Sequence, residues 1–424
     1  MIRFLLKGLL RDKSRSRLPV IVVAIGVMLT VFLHAYITGF MGDTVEMNAK
    51  FTYGHVKVMT KAYAENASQI PNDLALTGVG KLMHELQDQF PEIEWTQRIQ
   101  FGGLIDVPDA NGETRSQGPA VGMGIDLLSR GTWEKERLNL AKSVVRGRLP
   151  EKLGEVLLSE EFAQKLDAAA GDTVTFIGST MNGSMSLYNF TISGTISFGS
   201  QLLDKGAIIM DIEDARLALD MADAAGEILG FLRDGFYNNE EALKIAKIFN
   251  AKYATLTDDY APVMKTLSQQ GSMSFYINMS KYWASYISLV FVLAMSLVLW
   301  NAGLLGGLRR YGEIGIRLAM GEEKGHVYRT MIYESVMTGI IGTIIGTILG
   351  MTFAWILQKY GLNISGMMKG ASVMMPATIR ARITPVDYYI GFLPGLLSTV
   401  LGTMLSGIGI YKRQTAKLFK ELEA

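Results

Sequence analysis

The residues of this sequence that can do chemistry lack the spacing of a known catalytic or metal site. The four histidines lie at positions 34, 55, 84 and 326, and His84-Glu85 lacks the second histidine of a zinc-binding HExxH motif. Neither a GxSxG nucleophile turn nor a GxxxxGK[ST] phosphate-binding loop is present. Since the chain has no cysteine, thiol chemistry is excluded as well. The sequence therefore predicts no catalytic residue, no metal site and no cofactor site in this chain.

A glycine ladder is suited to packing instead. Gly342, Gly346 and Gly350 lie four residues apart within an apolar segment. Glycines at this spacing share one helical face and let another backbone approach closely. The partner is either the second or fourth apolar segment of the same chain, or a second copy or paralogue. We expect Gly346→Leu to disrupt this packing and Gly346→Ala to be tolerated.

The ladder segment begins near an acid, Glu334. An acid at membrane depth is a functional candidate by default. The alternative is that Glu334 is solvated at the end of the segment or paired with Arg329.

A short segment before the ladder predicts a helix outside the bilayer. Ile314, Leu318 and the nearby Ala319 fall on one side of this helix, which a glycine would end. Such an apolar side needs either the membrane surface or a groove on a cytoplasmic partner. This segment contains Glu313, Ile314, Gly315, Arg317 and Gly321.

The elements that carry these residues are membrane helices. Of the 424 residues, 49% are hydrophobic and 19% are charged, a low share for a soluble protein. Four apolar stretches, roughly 18–40, 282–305, 332–357 and 388–410, have the length of about 20 residues that crosses a bilayer. The predicted fold class is a membrane protein with four transmembrane helices, one plus three, and a large extracytoplasmic α/β domain between the first and second.

Charge gives the orientation. Residues 41–281 carry 32 acids and 22 bases, a net charge of −10, whereas the rest of the chain has a net charge of +11. Basic residues before the first apolar stretch, between the second and third, and after the fourth place those regions in the cytoplasm. The loop at 358–387 is also basic and disagrees with this rule. Because the soluble region is acidic, nucleic-acid binding is not expected.

These arguments divide the chain into nine regions. A cleaved signal peptide at 1–40 is an alternative, but its apolar region is longer than usual. The regions are 1–17, a cytoplasmic interfacial helix; 18–40, transmembrane helix 1; 41–281, the extracytoplasmic domain with stalks and two subdomains; 282–305, transmembrane helix 2; 306–331, a cytoplasmic loop with a coupling helix; 332–357, transmembrane helix 3; 358–387, an extracytoplasmic loop; 388–410, transmembrane helix 4; and 411–424, a cytoplasmic tail.

The 41–281 region predicts alternating strands and helices. Ser159 and Asp211 are expected to cap two of the helices, and Gly42–Tyr53 and Val263–Lys281 are expected to form helical stalks. The strands are His55–Met59, Trp95–Val107, Glu155–Leu158, Thr173–Ile177, Phe190–Ile196, Ala207–Met210 and Lys252–Leu256. The helices are Gly80–Phe90, Glu160–Leu166, Ile212–Leu219 and Glu240–Phe249.

An ordered set of motifs resembles a known family. The segment from Glu313 to Gly321, followed by Tyr333-Glu-Ser335 and the glycine ladder, is similar to the FtsX-type permease domain of ABC transporters. The segments Arg146–Pro150, Gly154–Ser159, Phe162–Leu166 and Gly171–Val174 resemble the periplasmic core domain of macrolide-exporter and lipoprotein-releasing permeases. Tyr53–Val58 resembles the lipoprotein-releasing branch.

The resemblance implies a dimeric permease of the bacterial inner membrane, with its large domain outside the cytoplasm. Its partners would be two copies of a separate ABC ATPase that binds ATP, a second permease copy or paralogue, membrane lipid and a lipoprotein cargo. ATPase movement would pass through the inner-loop helix to the outer domain and release lipoproteins or other hydrophobic cargo. The resemblance makes Glu313, Ile314, Gly315, Arg317 and Gly321 the candidate residues for this coupling. An efflux permease, an FtsX-like signalling permease that regulates cell-wall or envelope proteins, and a membrane-anchored enzyme are the alternatives.

Overall fold

The computed structural model describes residues 13–109, 111–129, 131–198, 201–233, 235–256, 258–308, 311–363 and 378–412. They form two compact units. The helical unit contains the described residues up to Asp43, Asn278–Leu362 and those from Ile379 onward; the sheet unit contains Thr44–Ile277 with Asn363 and Thr378. The predicted interfacial helix before residue 13, the middle of the 358–387 loop and the tail beyond residue 412 lie outside the described residues.

The elements follow in chain order. The helices are α1 (Lys13–Asn48), α2 (Lys61–Asn66), α3 (Val79–Gln89), α4 (Glu134–Arg137), α5 (Leu140–Ser143), α6 (Glu160–Lys165), α7 (Gln201–Asp204), α8 (Ile212–Leu219), α9 (Asn239–Tyr253), α10 (Met273–Leu308), α11 (Tyr311–Ala319), α12 (Lys324–Tyr360) and α13 (Thr399–Lys412). The strands are β1 (Val56–Thr60), β2 (Leu76–Thr77), β3 (Ile93–Pro108), β4 (Thr114–Ile125), β5 (Val144–Gly147), β6 (Glu155–Ser159), β7 (Thr173–Ser179), β8 (Met185–Ile196), β9 (Ala207–Asp211), β10 (Ala224–Ala225), β11 (Glu227–Leu232), β12 (Pro262–Thr266), β13 (Leu362–Asn363) and β14 (Thr378–Ile379). The π-helical turns are Ala49–Tyr53 and Leu393–Ser398, and 3-10 turns lie at Ala67–Gln69, Asn72–Leu74, Leu267–Gln269 and Pro385–Tyr388.

Among the described residues, four helical segments are long and apolar enough to cross a membrane: Arg17–Tyr53, Met273–Gly306, Lys324–Tyr360 and Pro385–Ile408. One precedes the sheet unit and three follow it, which confirms the predicted one-plus-three arrangement. The first three extend beyond the predicted apolar stretches, because polar residues continue each helix past its apolar part.

The glycine ladder of α12 packs against α1. A Cβ atom built on Gly346 would lie 2.5 Å from the carbonyl oxygen of Ala24 in α1. The nearest atoms of the same helix would lie 2.7 Å from a Cβ atom on Gly342 and 2.9 Å from one on Gly350. The prediction that the ladder packs on the second or fourth apolar segment of the same chain is therefore wrong. The ladder fits α1 because that helix carries β-branched side chains at the same spacing of four residues. These side chains are Val23, Val27 and Val31.

The fourth segment packs on α10 and α12 through small residues. A Cβ atom on Gly303 would lie 2.5 Å from the carbonyl oxygen of Thr399, and a Cβ atom on Gly395 would overlap the hydroxyl of Thr343. The Thr403 hydroxyl also lies 3.5 Å from the carbonyl oxygen of Gly303 on α10. Close backbone contact is thus a general feature of the helical unit.

The sheet unit contains, in its described part, a ten-stranded sheet in the order β12-β1-β11-β3-β4-β9-β6-β8-β5, with β7 bonded to both β3 and β8. These pairings close β3, β4, β9, β6, β8 and β7 into a ring. Strand β3 joins the two parts of the sheet, which are this ring and the open part formed by β12, β1 and β11. Its first half, Ile93–Arg98, pairs with β11, and its second half, Arg98–Pro108, pairs with β4.

Strands β6 and β9 are buried on both faces. Val156, Leu158 and Met210 join the larger hydrophobic cluster with Phe176, whereas Leu157 joins a second cluster. Two buried faces explain why both strands read as continuous apolar runs in the sequence.

Six of the seven predicted strands are confirmed, and the four predicted helices match α3, α6, α8 and α9. The strand predicted at Lys252–Leu256 is wrong, because α9 continues to Tyr253. The helical stalk predicted at Val263–Lys281 is confirmed only from Met273, where α10 begins. The preceding residues belong to β12, which ends at Thr266, and to the turn after it.

The two predicted helix caps had different outcomes. The Asp211 carboxylate accepts a hydrogen bond from the Glu213 backbone N–H at 3.0 Å and caps α8, as predicted. The Ser159 side chain does not cap α6. Its hydroxyl donates instead to the carbonyl of Asp204 at 2.8 Å, which is a tertiary contact.

Strand β4 was not predicted, because glycine and proline are rare in strands. A Cβ atom on Gly122 would overlap the ring of Phe101, its cross-strand neighbour, and one on Gly124 would lie 2.5 Å from Ala215. Glycine is needed at these positions to leave room for neighbouring side chains.

The ladder geometry changes the expectation for alanine at position 346. Gly346→Ala places a methyl group 2.5 Å from a backbone oxygen, so α1 must shift. We expect a destabilisation of about 1–3 kcal/mol, measured as a lower melting temperature of the full chain in detergent. The control is Gly306→Ala on α10, where nothing lies within 4 Å of the added atom. Equal melting temperatures for both variants would contradict the packing.

Candidate coupling site

The residues predicted for coupling lie in or next to α11. Glu313 and Arg317 are half-buried, Ile314 and Gly315 are buried, and Gly321 is exposed. The structure thus places Ile314 and Gly315 inside the helical unit rather than on its surface.

The apolar side of α11 is used within the chain. Ile314 is only 5% exposed and packs with Val327 and Met331 of α12, and Leu318 packs against this cluster. The expectation that this side faces the membrane surface or a partner is therefore wrong for Ile314 and Leu318, whereas Ala319 is exposed. The exposed apolar residues lie elsewhere: Ile316 is 50% exposed and Met320 is 76% exposed.

The end of α11 agrees with the prediction. Gly321 has a φ angle of +94°, a conformation that glycine adopts without strain. Its N–H donates to the Leu318 carbonyl at 3.1 Å, and the Glu322 N–H donates to the Arg317 carbonyl at 3.1 Å. The turn satisfies the last carbonyls of the helix.

Glu334 lies in the third turn of α12 and is half-buried. The neighbouring Ser335 is buried, and its hydroxyl donates to the carbonyl of Thr399 at 3.4 Å. This stretch of α12 therefore lies against the beginning of α13.

A buried polar pair in the helical unit was missed by the sequence analysis. His34 Nδ1 of α1 lies 2.7 Å from a carboxylate oxygen of Asp387, which is fully buried. The other carboxylate oxygen accepts hydrogen bonds from the N–H and hydroxyl of Thr384 at 2.6 and 2.9 Å. Its sequence signal was a histidine inside the first apolar stretch and an aspartate just before the fourth, 353 residues apart.

The stalk segments end inside the sheet unit. Ala49, after α1, is buried in one hydrophobic cluster with Leu267, Met273 and Ile277. The Gln270 side chain donates to the Tyr53 carbonyl at 3.1 Å. The end of the first stalk and the beginning of the second are therefore packed together.

Buried polar groups attach the first stalk to the sheet. His55 Nε2 lies 3.0 Å from the Glu46 carboxylate, and His55 Nδ1 accepts a hydrogen bond from the Leu232 N–H at 3.0 Å. The Arg98 guanidinium donates to the carbonyls of Phe51 and Lys50 at 2.7 and 2.8 Å. Neither attachment is apparent in the sequence, although His55 lies within the Tyr53–Val58 motif.

The recognised motif at 146–159 builds a polar cluster around a glutamate. Arg148 donates to both oxygens of the nearly buried Glu155 at 2.8 and 2.6 Å, which lowers the pKa of Glu155 to about 2. The Asp214 carboxylate accepts the N–H of Gly154 at 2.9 Å. Burial nevertheless raises the pKa of Asp214 to about 6, with help from the nearby charges of Asp211 and Glu213.

Within the described ranges, no group of three or more histidine, aspartate or glutamate side chains is placed to hold a metal ion. The arrangement of the described polar groups joins elements together. The class of protein that these features define is a membrane protein with one helix before and three helices after an α/β sheet unit.

Two protein-family models match the chain. The MacB-like periplasmic core domain matches residues 18–238, more than half of the chain, and the FtsX-like permease C-terminal domain matches residues 285–415. The chain therefore belongs to the family of FtsX-like ABC transporter permeases with a MacB-like periplasmic core domain. It is a protein of the bacterial inner membrane with a large periplasmic domain.

Individual relatives are distant. The lipoprotein-releasing system transmembrane proteins LolC of Xylella fastidiosa strains 9a5c and Temecula1 are each 24% identical over 245 residues, which cover 56% of this chain. The match spans 54% of their length, so the chain spans about half the length of these relatives.

Solved structures are also similar over about half of the chain. The periplasmic region of MacB from Actinobacillus actinomycetemcomitans is 13% identical with a TM-score of 0.32, over 53% of this chain and 94% of that structure. A domain of a putative permease from Porphyromonas gingivalis is 12% identical with a TM-score of 0.31, over 52% and 93%.

The two isoleucines of α11 provide a test of its orientation. Ile314→Ala removes buried methyl groups from the contact with Val327 and Met331, and we expect a loss of about 2–4 kcal/mol. Ile316→Ala, at an exposed position on the same helix, should change stability by less than about 0.5 kcal/mol. Thermal unfolding of the full chain in detergent measures both; a larger loss for Ile316→Ala would reverse the assignment.

The Asp214 carboxyl predicts a pH dependence of stability. Its folded-state pKa of about 6 lies above the ordinary 3.8, so the folded chain holds the proton more tightly than the unfolded chain. This contribution is complete below about pH 4 and is lost as the pH rises through about 6, with a total of about 3 kcal/mol. Asp214→Asn should remove this loss between pH 4 and 7.

Unfolding of the full chain at a series of pH values measures the difference between wild type and Asp214→Asn. The exposed Asp167 supplies a matched amide substitution, and Asp167→Asn should parallel the wild type. The assignment to Asp214 is wrong if Asp214→Asn also parallels the wild type.

Proposed function

We propose that the chain is the permease subunit of an ABC transporter that releases lipoproteins, or other lipid-anchored or hydrophobic cargo, from the inner membrane. Two copies of a separate ATPase subunit bind ATP, and the permease pairs with a second copy or a paralogue. The permease itself does no bond chemistry. It passes the movement of the ATPase to its periplasmic domain.

The observation that carries this proposal is the buried attachment of the stalk segments to the sheet. Ala49 of the first stalk and Met273 of the second share one hydrophobic cluster, and Arg98 holds the backbone that follows α1. A helix whose end is held by buried, charge-assisted hydrogen bonds displaces its attachment when it moves. This arrangement supports mechanical transmission.

The exposed side of α11 supports contact with the ATPase. Ile316 and Met320 are exposed, although the apolar side with Ile314 is already packed on α12. We place the ATPase contact on the side of Ile316 and Met320, with Gly321 ending the helix beside it. Exposed apolar residues that flank a half-buried arginine suit a groove on a protein partner.

The cargo is proposed from the relatives. Both LolC proteins that match the chain are named for lipoprotein release. The MacB-like core domain leaves an efflux-type permease as the alternative, and an FtsX-like signalling permease as another. Each acts on different molecules, so a cargo assay separates them.

The ATPase contact is tested by purification of the tagged full chain from its native membrane. We expect a P-loop ATPase to co-purify, and the chain alone to show no ATP hydrolysis. Met320→Asp should reduce the recovered ATPase by about tenfold, equivalent to about 1.4 kcal/mol of binding. Met185→Asp is the matched control, because Met185 is 70% exposed in the sheet unit. Equal recovery with both variants would contradict the proposed contact.

The cargo is tested with the purified complex in liposomes that contain a fluorescent triacylated lipoprotein. We expect ATP-dependent transfer of the lipoprotein to the aqueous phase, and none with a non-hydrolysable ATP analogue. Export of a hydrophobic dye without lipoprotein release would favour efflux and overturn the proposed cargo.

A further inference from the structure

The Arg98 guanidinium is the most deeply buried charge in the described sheet unit that contacts a stalk. The residue is 0% exposed and lies in β3. All three of its nitrogens are used. Nη1 donates to the Phe51 carbonyl at 2.7 Å, Nη2 donates to the Lys50 carbonyl at 2.8 Å, and Nε donates to the Glu134 carboxylate at 3.0 Å.

The two carbonyls belong to the π-helical turn that continues α1. The last carbonyls of a helix have no partner within the helix, and the negative end of the helix dipole lies there. A buried guanidinium both donates hydrogen bonds to these carbonyls and places a positive charge at the negative end of the dipole. The first stalk is thus attached to β3 through its backbone, so its attachment does not depend on stalk side chains.

Arg98 occupies a special position in β3. It pairs with Glu227 of β11 on one side and with Ile125 of β4 on the other. Residues before it pair with β11, and residues after it pair with β4. A displacement of Arg98 therefore acts at the point where the two parts of the sheet meet.

We propose that Arg98 is the positioning residue that transfers movement of the first stalk into the periplasmic sheet. This inference rests on the proposed function, because it names the residue through which that function would act. Glu134 holds the guanidinium in place, and Glu46 with His55 forms a second attachment on the same stalk. Arg98 itself touches neither nucleotide nor cargo.

The competing explanation is that Arg98 only neutralises Glu134. Removal of one partner of a buried ion pair leaves an uncompensated charge and destabilises the fold, whereas removal of both partners often does not. Glu134 also contacts Arg137, which keeps a second partner, Glu94, at 3.0 Å. The paired substitution Arg98→Met with Glu134→Gln therefore separates the two roles.

The experiment compares wild type, Arg98→Met, Arg98→Lys and the paired variant in the full-length complex. Melting temperature reports the fold, and lipoprotein released per ATP hydrolysed reports transmission. We expect the paired variant to regain only the part of the melting temperature that Arg98→Met loses through the unpaired Glu134 charge, because the Lys50 and Phe51 carbonyls still lack their donor. It should hydrolyse ATP normally and release about tenfold less lipoprotein per ATP. Arg98→Lys should give a release ratio between those of the wild type and Arg98→Met, because an ammonium group replaces only some of the hydrogen bonds of the guanidinium.

The outcome that overturns the proposal is a paired variant that releases as much lipoprotein per ATP hydrolysed as the wild type. The control is Arg148→Met with Glu155→Gln, which removes a more exposed arginine–glutamate pair whose hydrogen bonds lie within the turn at 148–155. This control should leave the release ratio unchanged, and a tenfold loss there would also overturn the assignment.

A second measurement is independent of ATPase and cargo. Because the chain has no cysteine, spin labels can be placed at Thr44→Cys on the stalk and Val121→Cys on β4. The distance distribution should be narrow in the wild type and broad in the paired variant. An unchanged distribution overturns the role of Arg98, whereas absence of lipoprotein release in the wild type contradicts only the proposed function.

Discussion

The carbonyls that follow the first stalk helix are half-buried against a fully buried arginine, and a carbonyl that is removed from water without a hydrogen bond is costly. Arg98 supplies the donors for Lys50 and Phe51. Its charge in turn requires a carboxylate, and Glu134 from a separate helix provides it. The end of the stalk, the centre of β3 and helix α4 are therefore fixed together by one guanidinium. The nearby buried pair Lys57–Glu227, in which burial lowers the pKa of the lysine, follows the same rule on the neighbouring strands.

The helical unit depends on a different constraint. Lipid gives helices little hydrophobic reason to associate, so close backbone contact and polar contacts hold them together. The ladder of Gly342, Gly346 and Gly350 against α1 provides the first, and the buried His34–Asp387 pair provides the second. Both involve α1, the helix whose far end enters the sheet unit.

In the described residues, buried polar side chains connect separate strands, helices and turns of the sheet unit by hydrogen bonds. Arg148 and Glu155 fix the turn before β6, and Asp214 holds the N–H of Gly154 in that turn. Such joints stabilise the fold of the sheet unit, because each holds a turn against a neighbouring strand or helix. Their positions explain why the motif at 146–159 can be recognised in the sequence: the arginine, the glycine and the glutamate each have a fixed structural partner.

The sequence by itself determined the membrane segments, their one-plus-three order and most elements of the sheet unit, because these follow from local hydropathy, periodicity and capping. The Asp211 cap and the turn at Gly321 were predictable for the same reason. Tertiary structure alone decided the partners of distant groups. Arg98 and Glu134 are 36 residues apart, His34 and Asp387 are 353 apart, and no local pattern specifies either pair. It also decided that Ser159 bonds Asp204, that Ile314 faces α12 and that the ladder packs on α1. In each case several partners satisfy the local chemistry equally well, and only the packing of the whole chain brings one of them within reach.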